Sequence, residues 1–105
     1  SYAVTTQRHV AILQDGPLLA AMSAFDGEWH DHNHGSNITG VGADGTVATA
    51  TSATLNFAFS AHTRTWSTAS AMSNETFFRG DDWALWLANG TALAFSGLRG
   101  GSSTR

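Results

Sequence analysis

Apolar side chains fall at alternate positions along most of this chain, in short runs separated by turn-forming residues. That is the period of a strand, whose successive side chains point to opposite faces. The clearest instance is Trp83-Ala84-Leu85-Trp86-Leu87-Ala88, then Asn89-Gly90, then Thr91-Ala92-Leu93-Ala94-Phe95-Ser96. Asn-Gly between two apolar runs predicts a type I′ hairpin, because that turn needs positive φ at both central residues. A two-residue turn sets Ala88 opposite Thr91, Trp86 opposite Leu93 and Ala84 opposite Phe95. One face then carries Trp86, Leu93 and Phe95, and the other carries Trp83, Leu85 and Leu87 against alanines. Neither face is polar, so the hairpin should be covered on both sides, by the chain's own core and by a second layer or a neighbouring chain.

The remainder reads similarly. Tyr2, Val4, Thr6, Val10 and Ile12 predict one extended strand or two short ones, ending at the turn Asp15-Gly16-Pro17. Residues 18–25 suit a short helix by composition and a strand by length and bounding Asp-Gly pairs; strand is the reading taken. Residues 46–60 predict a single long strand, dense in threonine, with Val47, Thr49, Thr51, Leu55, Phe57 and Phe59 on one side. Further strands are expected around Trp66 and over residues 76–79. No fixed-period repeat and no internal domain boundary stand out. The expected organisation is one β domain over residues 1–98 and a flexible Gly/Ser tail over 99–105.

Composition narrows the classes of function. The chain has 105 residues, a formal net charge of −3, 12% charged residues and no lysine. Five scattered arginines form no basic stripe, which argues against nucleic acid as a partner. No apolar run approaches the ~20 residues of a membrane helix. Cysteine is absent, excluding disulfides and thiolate chemistry. Sequons at Asn37, Asn74 and Asn89, with the low charge, point to an exported or particle-surface protein carrying glycans.

The sharpest local cluster is His30-Asp31-His32-Asn33-His34. On a strand His30, His32 and His34 share one face, and two neighbouring imidazoles can meet one zinc ion. The third is about 13 Å from the first along the strand, so one ion cannot take all three. The alternative is a polar strand face. Trp29 and Trp66 lie in polar contexts and, with His62, are candidates for the rim of a ligand pocket. Trp83, Leu85, Trp86 and Leu87 are candidates for packing and for an interface. Asp81-Asp82 follows Gly80, where turn chemistry accounts for it. No serine lies in a nucleophile elbow, and no glycine loop precedes a helix.

Residues 37–50, with Arg79-Gly80-Asp81-Asp82-Trp83, resemble the sheet of NTF2-like proteins. That resemblance implies an α+β cone with a pocket, and a small enzyme. Gly27-Glu28-Trp29 and residues 61–67 are similar to pieces of avidin-like barrels. The residues themselves predict an all-β antiparallel meander forming a small barrel or sandwich. The leading expectation is a non-enzymatic structural domain that self-associates as a homo-oligomer or against an assembly neighbour. A β-barrel binding a glycan or small molecule is the second reading, and no cofactor beyond zinc at the histidines is implied.

Overall fold

The structure, a computed structural model, describes residues 3–33 and 37–105. Among these residues there is no helix, and the chain is an antiparallel meander throughout. The strands are β1 (Ala3–Gln7), β2 (Val10–Asp15), β3 (Leu18–Ser23), β4 (Trp29–Asn33), β5 (Ile38–Asp44) and β6 (Val47–Ser52), followed by β7 (Leu55–Ser60), β8 (Thr65–Ser70), β9 (Thr76–Arg79), β10 (Trp83–Ala88), β11 (Thr91–Ser96) and β12 (Ser102–Thr104). They form three four-stranded sheets, β1 to β4, β5 to β8 and β9 to β12, each ordered as the chain runs. The helix layer of an α+β cone is therefore absent from the described residues, and the NTF2-like resemblance does not extend beyond its hairpins.

The sheets pack face to face. Between the first and second lie Val10, Ile12, Leu19 and Ala21 from one side and Ala48, Ala50, Phe57 and Phe59 from the other. Between the second and third lie Val47 and Ala58 against Ala84, Trp86 and Phe95. The middle sheet is thus covered on both faces, which explains why β6 and β7 read as continuously apolar or small. Each outer sheet has one covered face and one open face.

A repeat runs through the chain that the residue pattern alone conceals. The second strands begin at Val10, Val47 and Trp83, and the third at Leu18, Leu55 and Thr91, so the spacing is 37 and then 36 residues. Only three sets of positions keep their residue type, namely Ala11, Ala48 and Ala84, then Ala21, Ala58 and Ala94, and finally Ser23, Ser60 and Ser96. Elsewhere equivalent residues face different neighbours and differ accordingly.

Two further expectations are corrected. Residues 46–60 form two strands, because Ser52 Oγ accepts the amides of Thr54 (3.4 Å) and Leu55 (3.1 Å) and turns the chain without glycine or proline. The turn inverts the side-chain phase, so Phe57 and Phe59 pair with Ala50 and Ala48. Residues 102–104, read as part of a tail, pair with β11 as β12 after a turn closed by Ser96 N–H to Gly101 O (2.9 Å). The predicted hairpin agrees in register from Trp83 opposite Ser96 to Ala88 opposite Thr91, with φ of 48° at Asn89 and 79° at Gly90.

Candidate functional site: the sheet seams and the open end faces

One hydrogen-bond scheme recurs at the same end of every sheet. The third-to-fourth strand turn donates to the first-to-second strand turn, through Ala24 N to His9 O (2.9 Å), Ala61 N to Thr46 O (2.8 Å) and Gly97 N to Asp82 O (2.6 Å). A second bond steps from each sheet to the next, through His9 N to Gly45 O (3.1 Å) and Thr46 N to Asp81 O (2.8 Å). A third step is made by side chains. Ser23 Oγ donates to Ala61 O (2.6 Å), and the buried Ser60 Oγ donates to Gly97 O. These buried hydroxyls need a partner, and the neighbouring sheet provides it.

Gly45 is required at this seam. Its φ is +51°, and a Cβ there would sit 2.8 Å from the Asp81 Cα. Gly45→Ala is expected to lower stability by at least about 1–2 kcal/mol, from the left-handed backbone alone. A shift of the urea midpoint with unchanged slope would show it; an unchanged midpoint would mean that the seam is not this tight.

The histidines lie along the first seam. His30 Nε2 meets Asp26 Oδ2 at 2.8 Å and its ring packs on Phe59, while Trp66 Nε1 donates to His30 O at 2.9 Å. His32 stacks on Trp66 with centroids 5.3 Å apart, makes a T-shaped contact with Phe57, and lies 3.2 Å from Thr68 Oγ1. The two rings do share a face, but they join sheet to sheet. His34 lies outside the described residues, and among those described no three His, Asp or Glu residues are grouped to hold a metal. His9, Phe25 and His62 form a separate stack, at 5.1 and 4.7 Å.

Asp26 is the electrostatic node here. Its carboxyl is held below its ordinary pKa of 3.8, chiefly because the Glu28 amide donates to Oδ1 at 2.9 Å. Partial burial pushes the other way, and His30 and Arg64 (3.5 Å) add to the lowering. A lowered pKa contributes stability that is complete above pH 3.8 and fades as pH falls through the folded-state value. Asp26→Asn should therefore be less stable than the parent near neutral pH, with the gap closing in acid. A gap independent of pH in urea titrations would contradict this.

Between the second and third sheets lies a cleft of about 260 Å³, lined among others by Val41, Thr49, Ala50, Phe77, Arg79 and Trp86. Arg79 Nη1 donates to Thr49 Oγ1 at 3.2 Å and the guanidinium lies 5.7 Å over the Phe77 ring. Its Nε is buried without a partner, and no carboxylate reaches the guanidinium among the described residues. Glu75 is already engaged by Asn56 Nδ2 (3.0 and 2.9 Å) and Met72 N (2.8 Å). A Cβ on Gly42 would overlap the guanidinium, so glycine makes the room Arg79 occupies.

The open face of the third sheet carries Trp83 (47% exposed), Leu85 and Leu87 (37% exposed), with Ala94 and Leu98 nearby. A second cleft of about 560 Å³ lies there, lined by Trp83, Ala94, Ser96 and Leu98 with others. Trp86 points the opposite way and is 5% exposed, so of the four proposed interface residues it belongs to the inner seam. Trp29 is half exposed, Trp66 lies in the first seam and His62 in the aromatic stack, so these three do not converge on one pocket. Asn37, Asn74 and Asn89 are all exposed. Arg79 and the serine series were missed from sequence; the 36–37-residue spacing of Ser23, Ser60 and Ser96 was the available signal.

Sequential four-stranded meanders packed face to face, with the same bonds repeated at each seam, are blades of the β-propeller type. No protein-family model matches the chain, and no curated protein matches it. Among solved structures, it is similar to the N-terminal domain of Nup159, a β-propeller, with a TM-score of 0.51 and 12% identity. The match covers 98% of this chain and 29% of that one, so the chain spans under a third of the domain's length. At this identity the likeness is one of fold.

Proposed function

We propose that this chain is a non-catalytic structural module that works by self-association through its end faces. The observation that carries the reading is the open apolar face of the third blade, where Trp83, Leu85 and Leu87 occupy positions equivalent to the buried or half-buried Val47, Thr49 and Thr51 of the second. Contiguous exposed apolar side chains on a sheet face mark interaction surfaces. The low charge and absence of lysine favour close packing of copies. An extracellular or particle-surface setting, with glycans on the exposed Asn37, Asn74 and Asn89, accords with this role. Light scattering over a dilution series tests it: mass should rise with concentration above that of one chain, and a constant single-chain mass would refute it.

A second reading is favoured by Arg79. A half-buried guanidinium with no counter-ion among the described residues, beside Phe77 and Trp86, suits a small carboxylate with an apolar body. Tryptophan fluorescence titrated with benzoate should respond in the parent and not in Arg79→Ala; equal responses would exclude the site.

A further inference from the structure

We infer that the partner of the third blade's open face is the open face of the first blade on a second copy, docked head to tail in the register already used between blades. This rests on the self-association reading and specifies its geometry.

The seam scheme supplies the register. His9 N and Thr46 N each donate to the residue one position before their equivalent in the next blade, Gly45 and Asp81. The corresponding donor on the third blade is Asp82 N, which has no acceptor among the described residues. The corresponding acceptor on a first blade is Arg8 O, which receives no backbone hydrogen bond among them. The serines repeat the logic. Ser23 and Ser60 reach Ala61 O and Gly97 O of the following blade, leaving Ser96 Oγ as the third donor and Ala24 O as the unused acceptor. Among the described residues Ser96 Oγ only accepts, from Arg99 N at 3.1 Å.

The surfaces fit in the same sense. On its outer face the first blade carries the half-buried Leu13 and Met22 beside Ala11 and Ala20, which are each only 6% exposed, so this side is shallow. The third blade presents the bulkier Trp83, Leu85 and Leu87. Both existing seams also combine alanines with larger apolar residues, with Ala48 and Ala50 in one cluster with Ile12 and Leu19, and Ala58 in one with Trp86 and Phe95. Two copies joined at both ends place six blades around one axis, within the usual range of about four to eight for closed propellers. A head-to-tail contact that closes gives a ring of defined size, and one that does not gives fibres.

The absence of cysteine makes the test clean. Ser96→Cys and Ala24→Cys are made separately, checked for unchanged β circular dichroism, and treated with a short bismaleimide alone and mixed. The mixture should give a covalent dimer on the order of tenfold more efficiently than either variant alone, since only the mixed pair is held together. Association with crosslinking of Ser96→Cys to itself, or with no mixed crosslink, would overturn the head-to-tail register and leave self-association standing. Absence of association in the unmodified chain would overturn both. Should either variant fail to fold, amide exchange at Asp82 in the parent chain reads the same contact.

Discussion

Truncation of Phe57 to alanine is expected to cost about 3–5 kcal/mol. Phe57 is 0% exposed and stands between the first and second sheets, where its ring also meets His32 in a T-shaped contact with centroids 5.3 Å apart. Its cavity would open in the middle sheet, whose two faces supply one side of both cores. Domains of this size hold only about 5–15 kcal/mol in total, so the variant should be largely unfolded under mild denaturant. The urea midpoint should fall steeply with an unchanged slope. A loss below about 1 kcal/mol would mean that the first seam is not close-packed as described.

The second large effect is on association. Replacing Trp83 and Leu87 together by glutamate should weaken the proposed self-contact by at least about 3 kcal/mol, or on the order of a hundredfold in Kd. Each side chain is roughly half exposed in the single chain, so only the remaining half is gained on docking, about 1 kcal/mol or more apiece. Two carboxylates in that contact add a desolvation cost. Neither residue belongs to the inner core, whereas Trp86 between them does, so the single-chain fold should survive. Trp86→Glu should instead unfold the third blade. If all three substitutions affected association alike while leaving the fold intact, the division of β10 into an inner and an outer face would be wrong.

Strand content and the final hairpin were legible because their signals are local. Asn89-Gly90 determines its own turn, and alternation determines the faces of β10 and β11. The break at Ser52 was not legible, since a serine side chain rather than a glycine makes it. The three-sheet organisation was hidden for a related reason. Each sheet in a face-to-face series meets a different neighbour, so Val10, Val47 and Trp83 occupy one position with different surroundings. What survives repetition is the small residue and the hydroxyl, a sparse signal in a chain this rich in alanine and serine. The histidines show the opposite case. Their shared face was readable from spacing, but their role depends on Phe57, Phe59 and Trp66, which arrive from a different sheet.

The most direct measurement is hydrogen–deuterium exchange resolved to the amides of His9, Thr46 and Asp82 over a range of protein concentrations. His9 and Thr46 donate across seams within one chain, so their protection should not depend on concentration. Asp82 should exchange freely when dilute and gain protection approaching theirs as concentration rises. Free exchange at Asp82 at every concentration, with His9 and Thr46 protected throughout, would contradict the docking of a further blade on this face.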